Sequence, residues 1–260
     1  MRNYYPGDKY DTPSDQLGRK VWSRFGLFMR IMKVVIESRR KAICGEYDDS
    51  AWNLSSFKML RCFEKSGIPC HFKGMDNIEN VKQPVVFIGN HMSIAETFLL
   101  PGIIAPRKKV TFVVKQELCD YPLFGPIMRS RNPIAVNRKN SKKDFITVMN
   151  DGVKKLKSGV SLIIFPQSTR MGHFSSKNFN TIGIKLARKA GVPVIPFALR
   201  TDCWGNGVFL KDFGPVNPKR DVFIEFSKSI DISGNGKNEH QLVIDFIKSK
   251  LHEWDCPIND

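Results

Sequence analysis

Val85-Val86-Phe87-Ile88-Gly89-Asn90-His91-Met92-Ser93-Ile94-Ala95-Glu96-Thr97 is the stretch around which the chain is organised. Four apolar residues after Pro84 predict a buried strand, and the apolar segment Phe98 to Ile104 follows the polar turn. Ser93 with Glu96 three residues on has the form of a capping box, which opens a helix. His91 is therefore expected at a strand end, in the turn before a helix N-terminus, where open α/β sheets place their chemistry. On one continuous helix His91 and Glu96 would lie about 140° apart. With His91 in the turn and Glu96 in the first helical turn, the carboxylate reaches back to the imidazole. A carboxylate on one ring nitrogen fixes the tautomer and leaves the other nitrogen to take a proton. A histidine ordinarily titrates near ~6.5, which suits a general base at neutral pH. The plainer alternative is that Ser93 and Glu96 only cap a helix and His91 is a satisfied polar residue.

Working outward, strand-like and helical stretches alternate. Strands are expected at Cys70 to Lys73, Val110 to Val114, Pro133 to Val136, Ser161 to Phe165, Val192 to Leu199 (interrupted by prolines) and Val222 to Phe226. Helices are expected at Ala51 to Lys65, Lys142 to Lys157, Ile182 to Ala190 (stopped by Gly191) and Gln241 to Trp254. Pro122 to Pro126 is a loop or a helix start. The alternation predicts an α/β fold with a largely parallel sheet flanked by helices. The expected division is 1–68, a polar tail plus N-terminal helices, and 69–260, the α/β domain. Met1 to Gln16, with Pro6, Gly7 and Pro13, is expected to be a loose tail, not a signal peptide.

The charge is lopsided. Lys+Arg 41 against Asp+Glu 25 gives +16 in 260 residues, so an anionic partner is expected: nucleic acid, an acidic membrane or a phosphorylated substrate. The six cysteines are scattered without a Cys-x-x-Cys pair, as in reduced thiols filling the core of a cytoplasmic protein. From Arg19 to Lys41, Trp22, Phe25, Met29, Met32 and Ile36 recur at helical spacing, interrupted by basic residues including Arg24, Arg30 and Lys33. No uncharged run there approaches the ~20 residues needed to cross a bilayer. The pattern fits an amphipathic helix docked in a membrane interface, with Trp22 and Phe25 buried and Arg24, Arg30 and Lys33 on lipid phosphates. The alternative is a helix packed on the domain's own core.

A second motif, Phe165-Pro166-Gln167-Ser168-Thr169-Arg170, follows a predicted strand, and its arginine can fork onto a phosphate. With Asn90-His91-x-Ser-x-x-Glu96, Lys115-Gln116-Glu117-Leu118, Pro122-Leu123-Phe124-Gly125, Asn137-Arg138 and Val192-Pro193-Val194-Ile195-Pro196 in this order, the chain resembles the glycerolipid acyltransferases, the lysophosphatidic acid acyltransferase family. The resemblance covers about half the chain. Glu96 stands where that family usually has Asp, and Gln167-Ser168 stands in place of Glu-Gly.

The resemblance implies acyl transfer from a thioester, acyl-CoA or acyl carrier protein, to a lysophospholipid hydroxyl, with 1-acylglycerol 3-phosphate as the first expectation. No bound cofactor and no metal are implied. His91 and Glu96 would be the catalytic pair, Lys115 an oxyanion donor, and Arg170, Arg138 and Thr169 the phosphate grip. Expected partners are the lysophospholipid, the acyl thioester, an anionic membrane surface and, as one donor, acyl carrier protein. The expected location is the cytoplasmic face of a membrane, as a peripheral protein. The Gln167-Ser168 change motivates a different acceptor within the family, an amino-acid lipid or glycerol 3-phosphate. A non-enzymatic basic protein binding anionic lipid or RNA is the reading from another class; without an RNP-type, helix-turn-helix or zinc pattern, nucleic acid is not an expected partner.

Overall fold

The computed structural model describes residues 3–18, 23–167, 169–207 and 214–260. One eight-stranded sheet runs in the order β1-β2-β8-β7-β3-β6-β4-β5. Its strands are β1 (Tyr10–Asp11), β2 (Cys70–Lys73), β3 (Val86–Gly89), β4 (Val110–Lys115), β5 (Ile134–Val136), β6 (Ser161–Ile164), β7 (Val194–Arg200) and β8 (Val222–Phe226). Pairing is parallel except at β1/β2 and β7/β8. The largely parallel α/β reading therefore holds. Central strands β3 and β6 are buried along their whole length, as expected of strands covered by helices on both faces.

Around the sheet lie α1 (Ser23–Ile43), α2 (Asp49–Lys65), α3 (Asp76–Glu79), α4 (Ala95–Ile104), α5 (Gln116–Asp120), α6 (Gly125–Ser130), α7 (Ser141–Lys157), α8 (Ile182–Ala190) and α9 (Lys237–Glu253). Helix α2 starts on Asp48, whose side chain accepts the Ala51 N–H, and it packs along α4. Pro101 lies inside α4, and a hydroxyl of α2 enters that helix's ladder. Ser56 Oγ accepts the Gly102 N–H (2.7 Å) and donates to the Phe98 carbonyl (2.5 Å). Helix α8 ends on Gly191 at φ +68°, a left-handed cap that suits glycine.

Three expectations change. The segment before Gln16 is not a loose tail: Tyr5 is buried, packed edge-on to Phe72, and Tyr10 and Asp11 extend the sheet along β2. A polar composition hid this, because the anchoring is done by two tyrosines and by backbone pairing. The prolines do not interrupt β7, which runs unbroken with Pro196 in register with Ile88. Helix α9 begins at Lys237, four residues before Gln241, on a left-handed Gly236.

Helix α1 packs one face on the domain's core and leaves another face outward. Leu27, Ile31, Val34 and Val35 pack into the common core, while Phe25, Met29, Ile36 and Ile43 face outward, Phe25 with 70% exposure. Arg30 turns inward and donates to Ser66 Oγ (2.9 Å), so its charge sits on the end of α2, not on the outer face; Lys33 is exposed. Trp22 and the Arg24 side chain lie outside the described residues. No helix among the described residues is long and apolar enough to cross a membrane.

Candidate active site

Strands β7, β3, β6, β4 and β5 run parallel, so their C-terminal ends share one edge of the sheet. That edge carries Thr201, His91, the loop 165–170, Lys115 and Arg138. It is the position where this class of sheet leaves a crevice for ligands.

The turn after β3 is set by two devices. Asn90 is buried and its amide continues the ladder to β7, donating to the Leu199 carbonyl (2.8 Å) and accepting the Leu199 N–H (2.9 Å). Glu96, with no exposure, folds back over the turn. Its Oε1 accepts the Met92 N–H (2.7 Å) and lies 2.9 Å from His91 Nδ1; its Oε2 accepts from Thr201 Oγ1 (2.5 Å), with Ser93 Oγ 3.0 Å away. Glu96 also accepts the Ser93 N–H, the reciprocal half of a capping box, while Ser93 Oγ accepts from Ala95 N. One carboxylate therefore both closes the turn before α4 and meets the His91 ring.

Burial alone would raise the Glu96 carboxyl. The hydrogen bond and charge of His91, then the Thr201 hydroxyl and the Ser93 amide, outweigh it and hold Glu96 below the usual carboxylate range. An ionised Glu96 can only accept, so His91 donates its Nδ1–H to it, and in the uncharged form of the ring Nε2 is the nitrogen that carries the lone pair. The ring lies flat on Phe165 (centroids 4.2 Å apart, 16° between planes), and Phe165 stands edge-on to Phe197. Phe197 is why β3 ends on glycine: a Cβ at Gly89 would come within 2.2 Å of that ring.

The loop 165–170 is laced to the same turn. Gln167 Oε1 accepts the His91 N–H (3.2 Å), and the His91 carbonyl accepts Met171 N (3.0 Å). Gln167 is buried away from the cavity wall, its amide directed to the Met171 sulfur and the His173 carbonyl. Its neutral side chain therefore bears on how the turn is held. Ser168 lies outside the described residues.

A cavity of about 650 Å³ opens at His91. One flank is apolar, with Val35, Trp52, Met59, Phe98, Phe112 and Ile127. The other flank is cationic, with Arg138, Arg170 and, unforeseen from the sequence, Lys185 on the first turn of α8, its ammonium 5.8 Å from the Phe145 ring centre. Arg138 follows β5 with φ +56°, a conformation few non-glycine residues adopt, and Asp144 fixes that turn by accepting the Asn137 N–H (3.1 Å). Burial, then the neighbouring charge of Arg170, lower the Arg138 guanidinium, with Asp144 and Glu117 opposing. Two guanidinium groups thus share one site, and their mutual repulsion favours an anion between them.

Two expected site residues sit differently. Lys115 lines the cavity, but its ammonium rests on Glu117 (2.5 Å) in a solvated pair. Thr169 is exposed and off the cavity wall, because its N–H closes a tight turn onto the Gln167 carbonyl (2.7 Å). Its hydroxyl is not part of the cationic flank. The thiols are not placed for nucleophilic work: Cys44 is exposed at the end of α1, and the other five are buried, Cys62 and Cys256 pushed up to about 11 by burial. The residues that sequence reasoning missed are Thr201, Phe165 as a shelf, and Lys185. Phe165 opens the second motif but nothing in it signals a contact with the imidazole, and Thr201 and Lys185 carry no local motif; only the pairing of β7 beside β3 brings Thr201 to Glu96.

Residues 70–200 match the model of the family described as Acyltransferase. The chain is similar to a 1-acyl-sn-glycerol-3-phosphate acyltransferase of Pseudomonas aeruginosa, 35% identical over 133 residues, which is 51% of this chain and 50% of that protein. It is similar to another from Borreliella burgdorferi, 25% identical over 207 residues, covering 75% of this chain and 77% of that one. The chain spans about half the length of the Pseudomonas and Limnanthes alba relatives it matches. Among solved structures, the 1-acyl-sn-glycerophosphate (LPA) acyltransferase PlsC from Thermotoga maritima superposes with a TM-score of 0.65 at 20% identity, over 93% of this chain and 98% of that one, a likeness of fold.

Proposed function

The chain belongs to the acyltransferase family, and from that premise we propose that it transfers a fatty acyl group from a thioester donor to the free hydroxyl of 1-acylglycerol 3-phosphate. The observation that carries the reading is one cavity that joins the His91–Glu96 pair, two arginines and an apolar flank. The similar proteins from Pseudomonas aeruginosa and Borreliella burgdorferi are 1-acyl-sn-glycerol-3-phosphate acyltransferases, which supports this acceptor over an amino-acid lipid.

In this reading His91 Nε2 takes the acceptor's hydroxyl proton as that oxygen attacks the thioester carbonyl. Glu96 stabilises the imidazolium, a contribution of general-base type typically ~10²–10⁴-fold. The tetrahedral intermediate collapses by breaking the C–S bond, and the proton held on His91 passes to the departing thiolate. A thiol near ~8.5 is a good leaving group, so no strong acid is needed. Lys115 supplies positive charge to the developing oxyanion once its solvated pair with Glu117 opens, a small cost for exposed groups. Arg138 and Arg170 hold the acceptor phosphate. The acyl chain lies along Trp52, Met59, Phe98 and Phe112; the cavity's volume is in the usual range for small-ligand sites.

The donor is acyl-CoA or acyl carrier protein, both anionic partners for a chain of +16. The protein works as a peripheral protein on the cytoplasmic face of an anionic membrane, resting on the outward apolar face of α1, with Lys33 among its exposed basic residues. Purified protein given acyl-CoA or acyl carrier protein thioester and a panel of lysolipids tests all of this. Free thiol released only when lysophosphatidic acid is added is the expected result. Release with no acceptor dependence, or salt-sensitive binding of nucleic acid without turnover, would sink the proposal.

A further inference from the structure

Thr201 is the first residue beyond β7, fully buried, and its hydroxyl has two partners on the neighbouring segment: it accepts from Ser93 Oγ (2.9 Å) and donates to Glu96 Oε2 (2.5 Å). Among the described residues, every other donor on Glu96 comes from 91–93, the same turn the carboxylate folds over. Those donors belong to the turn itself. Thr201 is the donor from elsewhere in the chain, 105 residues away, on the strand that pairs with β3.

The two carboxylate oxygens divide the work. Oε1 faces His91 and the Met92 amide, and Oε2 faces the two hydroxyls. Rotation about the Glu96 Cγ–Cδ bond moves both together, so a donor holding Oε2 also sets where Oε1 meets the imidazole. A buried carboxylate stripped of one donor keeps its desolvation cost and finds a new rotamer to recover a partner. Such a rotation tilts or releases the imidazole without touching the cavity's cationic or apolar flanks.

We propose that Thr201 is a positioning residue for acyl transfer: its hydroxyl ties Glu96 Oε2 to the end of β7 and thereby aims the His91 imidazole at the acceptor hydroxyl. The proposal rests on the acyl-transfer reading given above. The role requires the hydroxyl and not the methyl, so serine serves and valine does not.

The test compares Thr201→Val and Thr201→Ser with the wild type in steady-state kinetics on lysophosphatidic acid and acyl-CoA, alongside thermal unfolding. Thr201→Val is expected to lower kcat by roughly ten- to a hundredfold, the scale of a misaligned catalytic group. KM should stay within about twofold, and Thr201→Ser should restore kcat to within about threefold of wild type, because only the hydroxyl is replaced. If the valine variant does not fold, Thr201→Ala removes the hydroxyl without placing a methyl against the carboxylate. A kcat within twofold of wild type in the hydroxyl-free variant, or a serine variant as impaired as the valine one, would overturn the proposal. Side-chain NMR of ¹⁵N-histidine protein, with the His91 signals assigned by His91→Ala, reads the same claim without turnover. The Nδ1–H signal of His91 is expected to shift or broaden in Thr201→Val and to stay in place in Thr201→Ser; signals identical in all three proteins overturn the proposal. A wild type without turnover removes the acyl-transfer reading, while this comparison still decides whether Thr201 governs the pair.

Discussion

His91 Nδ1 lies 2.9 Å from Oε1 of Glu96, and that carboxylate has no contact with solvent while the imidazole keeps 13% of its side-chain surface exposed to the cavity side. The acid is walled in and the base is reachable, the order in which an orienting group and a proton acceptor have to be stacked. His91→Ala is therefore expected to abolish transfer in a protein that still folds, with a lower melting temperature because the buried Glu96 carboxylate loses a donor. Glu96→Gln keeps the shape and loses the charge, and a loss of ~10²–10⁴-fold in kcat is expected. Glu96→Asp keeps the charge on a side chain one methylene shorter and should fall between the two. Initial rates with matched unfolding curves check the series, and a His91→Ala enzyme active within a few fold of wild type excludes the general-base role.

The pH dependence of stability follows from the same carboxylate. Glu96 is held below the usual range although burial opposes it, because His91, Thr201 and the Ser93 amide favour the charged form. A carboxyl depressed in the fold binds a proton more readily once unfolded. Its contribution is complete above the ordinary glutamate value of ~4.3 and is lost as pH falls through the lower, folded value. The urea midpoint of the wild type should accordingly drop below about pH 4.5 more steeply than that of Glu96→Gln, which has no proton to take up there. Parallel curves for the two proteins over that range would contradict the assignment.

How much of this was legible beforehand depends on whether the information is local. The strand ending at Gly89, the turn at His91 and the helix carrying Glu96 follow from a run of apolar residues and a Ser-x-x-Glu cap, both readable within a dozen residues. Thr201 follows from nothing local: it meets Glu96 because β7 lies beside β3, a pairing of distant segments. Lys185 reaches the cavity for the same kind of reason, through α8 packing against α7. Thr169 shows the opposite failure. Its motif suggested a phosphate contact, but a backbone turn too short for sequence to reveal directs it outward. The N-terminal segment reads as a tail because its composition is polar, whereas Tyr5 is held by T-shaped ring contacts with Phe72 and Tyr10.

Asn90, beside His91 in the same motif, is a structural residue. Its amide gives and takes one bond with Leu199, a pattern that a carboxylate has no proton to complete. Asn90→Asp leaves the buried Leu199 carbonyl without its donor and places a charge against it. A loss of about 1–3 kcal/mol or more is expected, measured as a lower urea midpoint. If Asn90→Asp is as stable as the wild type, the amide ladder is not what holds β3 to β7.

Arg138 and Arg170 make a separable prediction about substrate. A charged hydrogen bond contributes roughly 1.5–3 kcal/mol, so Arg170→Ala should raise KM for lysophosphatidic acid by about ten- to a hundredfold. Its effect on an acceptor without a phosphate should be small. Arg170→Lys keeps the charge but not the two-pronged geometry and should recover only part of the loss. Equal losses on both acceptors would mean that the arginine supports the loop 165–170 and does not grip phosphate.

The outward face of α1 sets a test that leaves the site untouched. Phe25 and Met29 are 70% and 51% exposed, so replacing both by serine removes little packing and should leave the melting temperature within a degree or two. Apolar groups of this size each add on the order of 1 kcal/mol or more when buried in a membrane interface, and exposed basic side chains such as Lys33 add attraction to anionic lipid. Phe25→Ser/Met29→Ser is therefore expected to bind phosphatidylglycerol-containing vesicles at least tenfold more weakly in flotation assays. Lys33→Glu should weaken binding to those vesicles but not to neutral phosphatidylcholine ones. Arg30→Ala, whose guanidinium is engaged with Ser66, should change stability more than vesicle affinity. Unaltered flotation of the double serine variant, with its fold intact, would show that this face meets something other than lipid.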